Sequence, residues 1–374
     1  MKISYINSVC VRNVAISAGI RREVSYLQED GQRDLRLFAY ECQYPDMPFS
    51  QCYSEQGLAL NRHFATSDLV VFHFGVYYPL FNLLSLVPKA CRKLVVFHNI
   101  TPPTLLPPHS RTLIERSFAQ LDNVRWADHI VCVSSTNQKV LWERGIEVPS
   151  TVVPLSVPNM LPPPSEKPSF SDETIRIVFV GRFVRSKGPT ELLAAVSRLA
   201  AQCQGLSVQI DMIGNLAFSD PALVEEVRAQ AATITADHSN SAVRVQIHGS
   251  APDEVKHSIL RDADIFALPT YHEGFCVPIL EAFASGCRIV SYDNSNIPDV
   301  AGGCGTLVRT GDVGALARAL IADVDLVRSK AWKAGGEASR YRQFIARTRR
   351  HLSRFTRDNV RRDFLRVIDG LMQR

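Results

Sequence analysis

Short apolar runs bounded by polar or turn residues recur along the first 157 positions. KISYIN (2–7), DLRLFAYE (34–41), SDLVVFHF (67–74), KLVVFHN (93–99), DHIVCVS (128–134) and STVVPLS (150–156) are rich in Val, Ile and Phe and read as strands. Several are apolar nearly throughout, which suits strands covered on both faces of a parallel sheet. Between them, 110–125 and 135–144 carry a helical period, with Ser134 or Ser135 placed to cap the second. The stretch VPNMLPPPSEKPSF (157–170) then holds five prolines and neither period, and reads as a linker. After it the alternation restarts. TIRIVFVG, SVQIDMIG, VRVQIHG, DIFALP, CRIVSYD and GTLVRT read as strands, with helical periods at 190–201, 221–236, 251–262, 278–285 and 312–327. Two βα-alternating halves predict an α/β fold of two doubly wound, Rossmann-like domains facing across a cleft. The expected boundaries are 1–157, a linker at 158–173, a second domain at 174–335, and basic helices at 336–374 crossing back to the first domain. Ligands in such folds sit at the carboxyl ends of the strands.

Length agrees: 374 residues at about 150 per domain give two domains or a little more. At 46% hydrophobic and 21% charged, the composition is globular. The most membrane-like stretch, 69–88, is interrupted by His73, Gly75, Pro79 and Asn82, whereas a spanning helix needs about 20 mostly apolar residues. It reads as strand, turn and helix. No export signal opens the chain, and nine cysteines are scattered without a CxxC pair. This predicts reduced thiols, a cytoplasmic protein, possible peripheral attachment to the inner face of the plasma membrane, and no structural zinc.

Two segments carry candidate chemistry. In IVFVGRFVRSKGPTELL, Gly181 follows a strand, Arg182 comes next, and Lys187 and Gly188 precede a helix. Glycine admits close backbone approach, a helix N-terminus favours an anion, and Arg offers bidentate phosphate geometry. A diphosphate is the ligand this suggests, although the residues alone equally describe a solvated basic loop. GxxxxGK[ST] is absent, and so is GxGxxG after the first strand, which weakens a nicotinamide-cofactor reading. The second segment, EGFCVPILEAFASG (273–286), follows the strand DIFALP. Glu273 and Gly274 fall in the strand-to-helix loop. Pro278 suits a helix's first turn, and Glu281 lies in the helix itself. Two carboxylates there can accept hydrogen bonds from a polyol, or can simply be exposed charges.

These residues resemble a known family. Glu273 and Glu281 match the E-x7-E motif of retaining GT-B glycosyltransferases, and HEGFCVPILEAFASGCRIV is similar to family 4 of that group. VGRFVRSKG resembles its G-R-x-x-x-x-K-G loop, while ADHIVCVSSTNQKVL and FHNITP resemble motifs of its N-terminal domain. The resemblance implies a GT-B-like fold and a nucleotide-diphosphate-sugar donor, GDP- or UDP-linked, with no metal. Arg182 and Lys187 would bind the diphosphate and Glu281 the ribose. Glu273 would contact the sugar, helped by the loop at Gly274 and the backbone amides of Phe275, Cys276 and Val277. His98 would lie near the sugar's 6-position and reacting face. Transfer would proceed with retention onto a saccharide or lipid-linked saccharide acceptor in bacterial surface-polysaccharide synthesis, with a mannosyl- or rhamnosyl-type hexose favoured. A UDP-dependent glucosyl- or N-acetylglucosaminyltransferase, or a non-catalytic nucleotide-sugar-binding scaffold, are the alternatives. The family's glycine-rich loop after the first strand is replaced here by NSVCVRNVAISAGIRREVSYL, in which Gly19 is the only glycine.

Net charge is +5, and it is local. Ten arginines and two acids between Arg340 and Arg366 give that segment +8, leaving the remainder at −3. Arg347, Arg350, Arg354, Arg357 and Arg361 follow three- and four-residue steps, which on one continuous helix would share a face. That face suits either solvent or an anionic membrane surface. Basic and aromatic residues do not interleave as a nucleic-acid platform requires, so no nucleic-acid partner is expected.

Overall fold

In a computed structural model, the chain is described at all residues except 13, 30, 32, 107–109, 158–160, 204, 237–241 and 374. The first three linker positions therefore lie outside the described residues. The chain divides into two compact units, Met1–Leu155 with Arg357–Arg374, and Ser156–Thr356.

The first unit is built on β1 (Lys2–Ile6), β2 (Asp34–Ala39), β3 (Phe49–Gln51), β4 (Leu69–Phe74), β5 (Arg92–Phe97), β6 (His129–Cys132) and β7 (Ser150–Val152). Their order is β3-β2-β1-β4-β5-β6-β7, parallel at every pairing. All six residues of β4 are buried, as a near-continuous apolar run requires when helices cover both faces. Phe72 and Phe74 pack on Phe81 of the 3-10 segment Pro79–Leu86, with ring centroids 5.7 and 4.2 Å away. The membrane-like stretch is thus a central strand and a buried helical turn. Among the described residues, no helix is long and apolar enough to cross a membrane.

The second unit contains β8 (Ile175–Val180), β9 (Ser207–Ile213), β10 (Ala242–Gly249), β11 (Ile265–Leu268), β12 (Arg288–Asp293) and β13 (Thr306–Arg309). The order is β10-β9-β8-β11-β12-β13, again all parallel. The strand order reverses between β8 and β11. At such a point neighbouring connections leave toward opposite faces and open a crevice at the carboxyl ends. Part of the Pro-rich stretch is fastened to this unit. Buried Lys167 donates to the carbonyl oxygens of Arg261 and Ser285 at 2.7 Å each, and Tyr341 Oη donates to Pro164 O at 2.9 Å.

Contrary to the expectation from their spacing, the five tail arginines do not form one helical face, because the helix breaks. Arg347 and Arg350 lie on Arg340–Leu352, Arg354 in the turn Ser353–Phe355, and Arg357 and Arg361 on Arg357–Met372. Thr356 is extended (φ −65°, ψ 151°), and buried Phe355 anchors the turn against Phe275 and His351. Arg347 bonds Gly303 O and Cys304 Sγ in the second unit, whereas Arg357 and Arg361 both pair with Glu29 in the first. The split face carries no membrane reading.

Candidate functional site

The two chemistry-bearing segments fall on either side of the switch point of the second sheet. After β8 the chain runs through Gly181 and exposed Arg182 to the 3-10 turn Arg185–Lys187, then Gly188, then helix Pro189–Gln202. After β11 it runs through 269–276 to helix Val277–Ala284. Glycine is required at two points. Gly188 has φ +64°, and a Cβ there would overlap the carbonyl oxygen of Pro269. At Gly214, just after β9, a Cβ would overlap the carbonyl oxygen of Gly181. The three strand ends thus approach at backbone distance. Tyr271 N and Thr270 Oγ1 both donate to Ser186 O, at 2.8 and 2.9 Å, and Tyr271 Oη donates to Glu191 Oε1 at 2.9 Å. The loops are therefore held as one piece.

Lys187 and Glu273 meet across this junction. Lys187 Nζ donates to Glu273 Oε1 at 2.5 Å and lies 3.2 Å from His272 O, and both side chains are largely buried. Glu281 is buried on the inner face of its helix at 5% exposure, so it is not a solvated helix charge. Lys256 Nζ donates to it at 3.0 Å, and His257 Nε2 stands 4.0 Å away. Burial pushes the Glu281 carboxyl up, but His257 and Lys256 outweigh that and hold it below the usual carboxylate range. Helices Pro189–Gln202 and Val277–Ala284 both begin with no side-chain cap, so their first N–H groups are not occupied by cap oxygens. Cys276 precedes the second helix in the left-handed region, at φ 80°. Phe275 is buried, and its carbonyl accepts from Asn296 Nδ2 at 3.0 Å. The Cys276 thiol is also buried, which raises its pKa well above the ordinary value and leaves it a poor nucleophile. Gly274 and Val277 are half-buried at this rim.

His98 and Gly19 lie in the first unit. His98 follows β5, its backbone N–H donating to Phe74 O at 2.8 Å. Its Nε2 is 2.9 Å from His73 Nδ1, and His73 Nε2 is 3.1 Å from Glu23 Oε2. Gly19 lies inside helix Ala15–Glu29 rather than in the strand-to-helix loop. A Cβ there would make only ordinary contacts, 3.9 Å to His98 Cε1 and 4.0 Å to Leu155 Cδ2. Sequence reasoning missed Glu23, His73 and Lys256. A readable signal existed for two of them. His73 interrupts an otherwise apolar strand, and Glu23 is the one charged residue on the buried face of its helix. A buried polar group of that kind needs a partner.

The chain is similar to known proteins. Residues 174–324 fit the family model described as glycosyl transferases group 1. A D-inositol 3-phosphate glycosyltransferase of Rhodococcus opacus is 28% identical over 207 residues, covering 54% of this chain and 40% of that protein. An MMP alpha-(1->4)-mannosyltransferase of Mycolicibacterium hassiacum is 30% identical over 173 residues, covering 45% of this chain and 38% of that protein. The chain thus spans about two fifths of the length of the curated relatives it matches. A glycosyltransferase structure from Rickettsia africae superposes with TM-score 0.73 at 15% identity, over 99% of this chain and 98% of that one. That likeness shows the fold. The chain accordingly has a GT-B-like fold, and its residues 174–324 are similar to the group 1 glycosyl transferases.

Proposed function

We propose that this chain is a retaining glycosyltransferase that moves a hexose from a nucleotide-diphosphate sugar to a saccharide or lipid-linked saccharide acceptor. One observation carries the reading. Two uncapped helix N-termini, Lys187, Arg182 and the buried carboxylate of Glu281 are assembled around one strand-order reversal. Helix N-termini and cations suit a diphosphate, and a carboxylate held ionised suits paired hydroxyls. In the proposed reaction Lys187, Arg182 and the helix dipoles stabilise the charge that develops on the leaving nucleotide diphosphate; such preorganised charge stabilisation usually contributes most to the rate. Glu273 accepts from sugar hydroxyls, and its pairing with Lys187 ties sugar position to phosphate position. The leaving nucleotide and the incoming hydroxyl share one face of the sugar, which gives retention. His98 accepts a hydrogen bond from a ligand hydroxyl. The relative named as a mannosyltransferase supports a mannosyl-type donor, and nine free cysteines fit a reducing compartment.

The test is a thermal-shift panel of GDP- and UDP-sugars on wild type and Glu281→Ala. A ligand binding only the folded chain at about 100 times its Kd adds about 2.7 kcal/mol. A shift with GDP-mannose that Glu281→Ala abolishes is expected. A shift confined to UDP-sugars would replace the donor, and none with either would overturn the nucleotide-sugar reading.

A further inference from the structure

The first unit holds a three-member chain of titratable groups, of which Glu23 and His73 are buried and His98 is half-buried, and the donor-site reading uses neither of the buried two. Glu23, on helix Ala15–Glu29, is 7% exposed, and His73, in the middle of β4, is fully buried. The contacts run Glu23 Oε2 to His73 Nε2 at 3.1 Å, then His73 Nδ1 to His98 Nε2 at 2.9 Å. The imidazoles lie nearly parallel, 23° apart with centroids 5.2 Å apart, and Tyr5 stacks on His73 at 6.1 Å. The backbone fixes both rings. Tyr78 Oη donates to His73 O at 2.7 Å, and a Cβ at Gly75 would crowd His98 Cβ and Asn99 O, both at 3.2 Å.

Hydrogen-bond polarity then propagates in one direction. A carboxylate only accepts, so the ring nitrogen that faces it is the one that carries a proton. His73 Nε2–H therefore donates to Glu23. A neutral His73 is left with a lone pair on Nδ1, which must accept. His98 Nε2–H is the donor it accepts from. A neutral His98 then carries its second lone pair on Nδ1, which makes no hydrogen bond to any described residue. We propose that Glu23 and His73 are positioning residues that lock His98 in the Nε2–H tautomer, so that the first unit presents a hydrogen-bond acceptor at the end of β5. The group it recognises is a hydroxyl or another donor, never a phosphate or carboxylate oxygen. Burial, with His73 and Arg22 nearby, disfavours protonation of His98, in keeping with a neutral ring. The assignment of that hydroxyl to a sugar rests on the proposed function; the tautomer does not.

The experiment is a long-range ¹H–¹⁵N correlation spectrum of the full chain with ¹⁵N-labelled histidine at pH 7.5, His98 being assigned by its loss in His98→Gln. The proposal expects an unprotonated Nδ1 and a protonated Nε2 for His98. In His73→Phe, which keeps a ring but cuts the relay, and in Glu23→Ala, the His98 pattern should move toward a tautomer average while His248 stays unchanged. A wild-type His98 protonated at Nδ1, or a pattern unmoved in whichever of the two variants folds, overturns the proposal. Turnover separates the underlying reading. A locked tautomer with full activity in His98→Gln would sink the sugar contact and leave the relay standing.

Discussion

At the scale of single residues, the Lys187–Glu273 pair decides the chemistry. Both side chains are largely buried, so removing one partner leaves a charge with little water to replace it. Lys187→Met should therefore cost both stability and rate. The rate loss expected for one charge-stabilising donor is about 10²–10³-fold in kcat. Adding Glu273→Gln to Lys187→Met removes the stranded carboxylate, so the double variant should regain much of the lost stability yet stay slow. Unfolding midpoints and donor turnover for the two single variants and the double variant check this. A double variant that recovered its rate would show that Lys187 serves the fold alone. Gly19 sits at the other extreme. It lies in a regular helix with ordinary neighbours, so Gly19→Ala should stabilise that helix by about 0.5–1 kcal/mol.

At the scale of elements, the loop after β8 and the loop after β11 behave as one unit, and Gly188 is the hinge pin between them. Gly188→Ala combines a left-handed side-chain residue, costing about 1–2 kcal/mol, with overlap on Pro269 O that only backbone movement relieves. The expected result is a lower melting point and a weaker donor shift together, since Lys187 and His272 move apart with the loops. A variant with wild-type donor binding would contradict the coupling. This pair of loops was largely legible in the sequence, because strand-end glycine, lysine and proline-led helix start are local signals. Helix starts were also readable. Ser134 caps the helix Ser135–Glu143 by accepting from Asn137 N, and Asp312 caps Val313–Arg328 by accepting from Ala315 N. What the sequence hid was non-local. Lys256 reaches Glu281 from a different helix, and Glu23 meets His73 fifty positions away. The tail misled for a related reason. A three-and-four arginine rhythm continues straight through Ser353–Thr356, but packing of Phe355 and the extended Thr356 end the helix there. The edge strand Phe49–Gln51 was unread because it is short and partly polar, with tertiary pairing to β2 supplying its stability.

At the scale of the whole molecule, four histidines give both units the same response to acid. His63 and His98 lie in the first unit, and His272 and His351 in the second. Burial lowers the pKa of each, with cationic neighbours adding to it: Lys187 beside His272 and Arg354 beside His351. A lowered folded-state pKa means that, as pH falls below about 6.5, the unfolded chain takes up a proton the folded chain refuses. Stability is complete above that value and declines on acidification, by up to about 1.4 kcal/mol per pH unit for each histidine. Asp264 and Asp323, whose carboxyls burial pushes up, act in the opposite sense. An ordinary Asp titrates at about 3.9 and an ordinary His at about 6.5, so on acidification from pH 7.5 the histidines respond first and set the sign as a loss. The three tryptophans allow the units to be followed separately, since Trp332 is buried in the second unit while Trp126 and Trp142 are exposed in the first. Urea unfolding read by Trp332 fluorescence and by far-ultraviolet circular dichroism should show midpoints falling together between pH 7.5 and 5.5. A midpoint that held or rose on acidification would mean that these histidines take up protons in the fold, which would remove the neutral His98 on which its acceptor role depends.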